Sequence, residues 1–137
     1  MTGYKKPVPI PTAEQKPFWE YCRKHELRMQ KCPWCGYIRH PASIICPDCQ
    51  SSAEAEWVKL SGKGKVFSFV IFQYAYSKTF ANDIPYAVAS IELEEGPRMM
   101  GNLIWCKVEN IKIGIPVEVH FEAITDEFTL PKFKPVT

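Results

Sequence analysis

Two short cysteine pairs constrain this chain more than any other feature: Cys32-Pro33-Trp34-Cys35 and Cys46-Pro47-Asp48-Cys49. Their spacing is C-x2-C-x10-C-x2-C. Two intervening residues make a tight knuckle that points backbone amides at the sulfurs. Two facing knuckles make a tetrahedral all-sulfur site, with zinc–sulfur distances near ~2.3 Å. Pro33 and Pro47 stiffen the knuckles, and Gly36 suits the left-handed turn on which a knuckle ends. Residues 29–57 hold little else that could form a core, and a segment below about 40 residues rarely folds without a metal or disulfides. The metal is therefore read as the core of this segment. Four protein ligands leave no open position, so the ion is structural in this reading and does not activate water. Zinc is the favoured ion. Iron also accepts four thiolates and would make a rubredoxin-like electron carrier. A redox dithiol would explain one pair, but two matched pairs argue against it. Cys22 and Cys106 fall outside the motif and are read as small buried side chains.

Metal rather than disulfide is the expectation for a reducing compartment. No apolar run reaches the roughly 18 residues of a membrane helix, and no apolar stretch follows the basic N-terminus. The chain is expected to span no membrane, to carry no signal peptide and to work in the cytoplasm.

Hydrophobic patterning divides the chain in two, with expected units at residues 1–60 and 61–137. Pro7, Pro9 and Pro11 alternate with Val8 and Ile10, which predicts an extended arm laid over another part of the fold. Thr12 and Gln15 have the spacing of a capping box, and Pro17 fits the first turn of a helix. Phe18, Cys22 and His25 then recur at helical spacing, with Trp19 and Glu26 beside them, predicting a helix whose aromatic face packs on a domain.

From Ser61 the pattern becomes β. Lys65 to Tyr76 reads as a long strand, with Val66, Val70, Phe72, Tyr74 and Tyr76 on one face and Phe67, Phe69 and Ile71 on the other. A strand apolar on both faces is expected to be covered on both. Residues 77–85 form a loop. Strands are predicted over Tyr86–Glu94, Arg98–Cys106, Val117–Ala123 and Leu130–Val136, with Ala87, Ala89, Ile91 and Leu93 facing inward on the first and Val117, Val119, Phe121 and Ala123 on the third. Five strands, the first preceded by Gly62 and Gly64, predict a small closed barrel of the OB-fold type. The expected fold is mainly β with N-terminal helices: a rubredoxin-like zinc ribbon followed by a five-stranded OB-fold barrel.

Catalytic constellations are not evident. His25, His40 and His120 are scattered, and Gly62-Lys63-Gly64-Lys65 lacks the pattern of a phosphate loop. Glu92, Glu94 and Glu95 read as a solvated strand edge and turn. Zinc ribbon plus OB-fold also suits single-stranded nucleic acid, the alternative function. Residues 61–137, however, hold eight Lys/Arg against nine Asp/Glu, net −1, where a nucleic-acid groove is basic. The barrel aromatics are expected mostly to pack the barrel and its contact with the helix.

The sequence resembles the zinc-ribbon/OB-fold acyl-CoA-associated proteins of bacteria and archaea, long catalogued as a domain of unknown function. The resemblance rests on Pro17-Phe18-Trp19, Cys32-Pro33-Trp34-Cys35-Gly36, Cys46-Pro47-Asp48-Cys49 and Ser61-Gly62-Lys63-Gly64-Lys65-Val66, and on Pro85-Tyr86, Leu93-Glu94-Glu95-Gly96, Ile113-Gly114-Ile115-Pro116-Val117 and Leu130-Pro131-Lys132-Phe133. Gln50 stands where such proteins often have glycine. The resemblance implies a non-enzymatic accessory protein that binds acyl-CoA, bridges thiolase-superfamily enzymes and aids channelling. The implied partners are thiolase (acetyl-CoA acetyltransferase) and HMG-CoA synthase-like enzymes. An acyl-CoA site needs cations near its mouth and an apolar groove. Lys63, Lys65, Lys78 and Arg98 are candidates for the phosphates, and Phe72, Phe80 and Tyr86 for the groove. The competing roles are solvated surface charges and core aromatics.

Overall fold

A turn at Thr12–Gln15 follows the N-terminal arm, with the Thr12 N–H donating to Gln15 Oε1 at 3.1 Å, one half of the capping box. A single α-helix follows, α1 (Lys16–Arg23), with Pro17 in its first turn and Phe18 and Cys22 buried. The computed structural model describes residues 4–136; residues 1–3 of the expected arm, and Thr137, lie outside the described residues. The helix stops short of the predicted His25 and Glu26. His25 takes φ 61°, its N–H donates to the Cys22 carbonyl, and the Glu26 N–H donates to the Tyr21 carbonyl. This is a Schellman ending, with histidine in the position usually given to glycine. His25 then stacks on Phe121 at 5.3 Å, and Glu26 pairs with Arg28 at 2.7 Å.

Three short strands build the ribbon: β1 (Arg28–Lys31), β2 (Ile38–Arg39) and β3 (Glu56–Lys59), antiparallel in the order β2-β1-β3. None was predicted, because each is too short to show alternation. Between the knuckles a buried polar network replaces an apolar core. Gln30 Oε1 accepts from Arg39 Nε at 2.9 Å and from the Ser43 N–H at 2.8 Å. The Arg39 guanidinium also donates to the Ser43 carbonyl at 2.8 Å. His40 is half-buried, its ring 4.9 Å from that of Phe18, and desolvation there holds its pKa below the ordinary histidine value.

That depression has a consequence for stability. The unfolded chain binds a proton at His40 below about pH 6.5, where the folded chain resists it. The contribution of His40 is therefore complete above that pH and declines as the pH falls toward the lower folded value. His40→Phe keeps a ring against Phe18 and cannot titrate. Between about pH 7 and 5 it is expected to lose less stability than the wild type, read as midpoints of chemical unfolding.

The second sheet closes on itself. Its strands are β4 (Lys63–Phe72), β5 (Tyr86–Leu93), β6 (Arg98–Leu103), β7 (Pro116–Ala123) and β8 (Thr129–Pro135), in the closed order β4-β5-β6-β8-β7. This is the five-stranded OB-fold barrel that the patterning predicts. Ala87, Ala89, Ile91 and Leu93 are all buried, as read from alternation. On β7, Val117 is buried, Val119 and Phe121 are half-buried against the core, and Ala123 is exposed instead of inward. Only β6 and β8 run parallel, and they pair at a single position, Leu103 with Phe133.

The first barrel strand departs most from expectation. A bulge between Val66 and Ser68 changes which residues face in: Val66 is buried, Phe69 and Ile71 pack on the core, and Val70 faces out. The outer face is not covered by the rest of the chain. The strand ends at Phe72 instead of Tyr76, and Tyr74 and Tyr76 are 67% and 81% exposed rather than packed. Similarly, β6 ends at Leu103 because Trp105 takes φ 58° and turns the chain away. Cys106 is consequently half-buried, unlike the fully buried Cys22.

Ribbon and barrel meet without a linker. The Leu60 N–H donates to the Leu27 carbonyl at 2.8 Å, and both side chains are buried. Next in sequence, the Ser61 N–H donates to Glu95 Oε2 at 2.8 Å and its hydroxyl to Glu94 Oε1 at 2.9 Å. The carboxylates read as a solvated turn thus latch the junction.

Candidate metal centre

The two knuckles are local copies of one another. In the first, the Gly36 N–H donates to the Cys32 carbonyl and the Cys32 N–H to the Tyr37 carbonyl, each at 2.9 Å. In the second, Gln50 donates to Cys46 and Cys46 to Ser51, again at 2.9 Å. Both loops turn through a left-handed residue, Gly36 at φ 78° and Gln50 at φ 65°. Glycine is absent from the second site, yet the backbone makes the same turn. A side chain in that region costs roughly 1–2 kcal/mol, partly offset by the smaller entropy loss on folding compared with glycine. Gln50→Gly is therefore expected to raise stability by up to about 1 kcal/mol, seen as a higher unfolding midpoint in metal-loaded protein.

All four sulfurs lie within 4.8 Å of one another. Cys32 and Cys49 are 3.6 Å apart, as are Cys35 and Cys46. A tetrahedron with ~2.3 Å metal–sulfur bonds has edges of about 3.8 Å, so the donor set fits a four-coordinate ion. Cys32 and Cys46 are buried, and Cys35 and Cys49 lie on the exposed side of the cluster.

Hydrogen bonding separates the thiols into two classes. The Cys35 backbone N–H, with help from that of Trp34, brings Cys32 down to about 6. The Cys49 and Asp48 backbone N–H groups likewise lower Cys46. Backbone donors at Tyr37 and Ser51 favour the thiolates of Cys35 and Cys49, but desolvation and neighbouring sulfurs outweigh them, raising Cys49 and pushing Cys35 up to about 12. The first cysteine of each knuckle thus ionises first and holds the proton of its neighbour by hydrogen bonding. A divalent cation held by Cys32, Cys35, Cys46 and Cys49 would take the place of those shared protons and let all four sulfurs be thiolates.

The seven residues nominated for acyl-CoA fall into two groups. Phe72 stacks on Tyr86 at 4.9 Å and Phe80 on Tyr86 at 5.7 Å, with Lys78 on the same loop as Phe80. Lys63, Lys65 and Arg98 lie at the opposite end of the β4–β5–β6 surface. Phe72 pairs with Tyr86 and Lys65 with Glu92, seven residues along β4, a separation of about 23 Å. Lys65 is 3.7 Å from the Glu92 carboxylate, and the Arg98 guanidinium lies 3.6 Å over the Phe67 ring.

Phe80 and Tyr86 line a groove of about 690 Å³, and Phe72, nominated with them, is not among its lining residues. Asn102, Trp105, His120 and Lys132 complete much of its wall. Trp105 is 69% exposed, with its ring centroid 4.5 Å from that of His120. Lys132 is paired with Glu122 at 2.8 Å. No single motif marks these residues, because their proximity depends on barrel closure.

Comparison with known proteins supports both parts of the architecture. Residues 19–54 match the family model described as the ChsH2 rubredoxin-like zinc ribbon domain, and residues 57–122 match the ChsH2 C-terminal OB-fold domain. A DUF35 domain-containing scaffold protein of Methanocaldococcus jannaschii is 42% identical over 97 residues, covering 71% of this chain and 68% of the relative. A probable enoyl-CoA hydratase alpha subunit of Thermomonospora curvata is 35% identical over 119 residues; the match covers 86% of this chain but 36% of that longer protein. The solved Ltp2-ChsH2(DUF35) aldolase contains a chain superposing with a TM-score of 0.86 at 32% identity, covering 95% of this chain and all of that one.

Proposed function

The chain belongs to the family of DUF35 domain-containing scaffold proteins, and from that membership we propose that it is a non-catalytic accessory protein of acyl-CoA metabolism, holding acyl-CoA and docking on thiolase-superfamily enzymes. The observation that carries this reading is the full-length likeness to a chain solved as part of the Ltp2-ChsH2(DUF35) aldolase. The fused module in a longer hydratase subunit adds weight. Thiolase and HMG-CoA synthase-like enzymes are the partners we infer, and channelling between them is the benefit. The cytoplasm is the inferred location; no described helix is long and apolar enough to cross a membrane.

Within this reading the chain works as two units, residues 1–60 and 61–137, and the ion at Cys32, Cys35, Cys46 and Cys49 is zinc. Soft thiolates and a closed shell suit a structural ion. The non-catalytic role is supported by the surroundings of the three histidines, which pack separately on Phe121, Phe18 and Trp105. For the ligand we favour the aromatic end of the barrel, Phe72, Phe80, Tyr86 and Lys78, where a groove of suitable size begins. Lys63, Lys65 and Arg98 serve the phosphates only if a partner enzyme completes the path.

The decisive experiment is calorimetric titration of metal-analysed protein with acetyl-CoA, with a single-stranded oligonucleotide as the comparison. Saturable acetyl-CoA binding and one zinc per chain are the expected results. Binding of the oligonucleotide alone would replace the acyl-CoA reading with nucleic-acid recognition. Iron and a red colour would replace the structural ion with an electron carrier.

A further inference from the structure

Among the described residues, three that are not glycine take a positive φ: His25, Gln50 and Trp105. Two of them close a local structure. The His25 N–H donates to the Cys22 carbonyl and ends the helix, and the Gln50 N–H donates to the Cys46 carbonyl and closes the second knuckle. Trp105, at φ 58°, makes no backbone–backbone hydrogen bond of that kind. For a bulky side chain this backbone conformation is an outlier, and glycine would turn the chain there without the steric cost. Burial does not offset that cost, because the indole is 69% exposed. An exposed tryptophan held at a strained position beside a cavity has the marks of a ligand contact.

The indole is nevertheless supported. Its ring centroid lies 4.5 Å from that of His120 and 5.3 Å from Lys134 Nζ. Both of these side chains belong to the outer face of the β7–β8 pair. His120 stands opposite Lys132 and Glu118 opposite Lys134, whereas Val117 and Phe133, one place out of step, are fully buried. The two supports therefore stand on one side of the indole, and its other side is the one open to solvent. The same ring borders the 690 Å³ groove that Phe80 and Tyr86 line.

A supported, open indole face beside a groove selects a flat aromatic group. Stacking of a base on an aromatic side chain needs only two π faces, and indole and purine are both fused bicyclic rings. Charge does not direct the choice. Lys132 faces Glu122 at 2.8 Å and Lys134 faces Glu118 at 3.7 Å, so this strip of sheet meets a polyphosphate with as many anions as cations. A phosphate alone has little to hold it here, whereas a base has the indole. In acyl-CoA the flat group is adenine.

We propose that Trp105 is the stacking platform for the adenine ring of acyl-CoA, its indole supported from behind by His120 and Lys134. This rests on the acyl-CoA reading above and adds to it the residue that recognises the nucleotide end of the ligand. A relaxed residue at this position would continue β6; the turn at Trp105 sends the indole over β7 and β8 instead. The contact is independent of the acyl group, so it serves acyl-CoA as a class.

The full-length, metal-loaded chain tests this in three forms: wild type, Trp105→Phe and Trp105→Ala. Calorimetric titration with acetyl-CoA reads affinity. Etheno-CoA, whose modified adenine fluoresces and is quenched on stacking against indole, reads where the base lies. Wild type is expected to quench it. Trp105→Ala is expected to abolish the quenching and to bind acetyl-CoA about 5- to 150-fold more weakly, the range of one aromatic–base stack. Trp105→Phe keeps a smaller ring in the same place, so its affinity should fall between those of the other two. It also carries the comparison if the alanine variant loses its circular dichroism, with affinity below wild type and quenching reduced. Equal affinity in all three forms overturns the platform and leaves the acyl-CoA reading standing. Weaker binding with quenching retained in Trp105→Ala overturns it as well, since the base then lies elsewhere. No binding of acetyl-CoA to the wild type overturns both.

Discussion

Cys46→Ser will strip the chain of its metal and unfold the ribbon while the barrel stays folded. Cys46 is fully buried, receives two backbone N–H groups and touches Cys35 across the site at 3.6 Å. A serine hydroxyl at this position is a poor metal donor and leaves three sulfurs without a fourth partner. The apparent binding energy of a structural zinc, on the order of 10–16 kcal/mol, is folding energy for such a segment. Few contacts within the ribbon itself replace it: β1 and β3 have four residues each and β2 has two, the chief contact inside the knuckle loop is the Gln30–Arg39–Ser43 network, and Met29, Ile38 and Trp57 pack on the core shared with the barrel. The barrel has its own buried set, including Val66, Ile91, Val117 and Phe133. Loss of slow amide exchange over residues 28–59, with retention over β4 to β8, is the expected result by NMR, and excess chelator on the wild type should reproduce it. A folded ribbon in metal-free Cys46→Ser would show that the metal is not its core.

Gly64→Val is expected to cost about 3 kcal/mol or more and to open the barrel. Gly64 pairs with Leu93 of β5 and with Val117 of β7, so it stands where one strand closes the sheet on both sides. A Cβ there would lie 2.5 Å from the Glu92 carbonyl oxygen and 3.0 Å from Ile91 Cγ2. The carbonyl is backbone, so relief requires moving β5 itself. A valine adds two methyl groups to that crowding. Thermal unfolding followed by circular dichroism measures the difference. A Gly64→Val midpoint within a degree or two of wild type would mean that the close approach at β4 does not hold the barrel shut.

Much of this architecture is legible in the residues, for definite reasons. The cysteine spacing carries the metal site because a knuckle is built within six residues, with no help from distant chain. Strand β5 is legible because its alternation is broken only at Val88 and one face is buried. The bulge after Val66 leaves no local mark, so alternation groups Val70 with the buried Val66 and predicts cover on both faces, whereas Val70 lies exposed on the outer face. Tyr74 and Tyr76 look like strand because aromatics favour strands, but β5 begins opposite Phe72 and leaves them no partner. The helix end at Arg23 depends on histidine adopting a conformation that glycine adopts more readily, and Trp105 ends β6 in the same way. Only part of the groove is legible, because beyond the nominated Phe80 and Tyr86 its walls come from four further stretches, brought together by the N-terminal arm and by barrel closure.

The junction at Leu60 and Ser61 has a consequence for assembly. Two modules on a flexible tether lose chain entropy when one partner grips both, and the second contact is only as strong as the tether's effective concentration allows. Here the tether has no length. Leu60 is buried on the ribbon side, and within one residue Ser61 is held by two carboxylates of the β5–β6 turn. A partner broad enough to touch both faces meets a single preset spacing between them, and its second contact carries no ordering cost of this kind. Loosening that junction would weaken assembly without altering any residue that the partner touches.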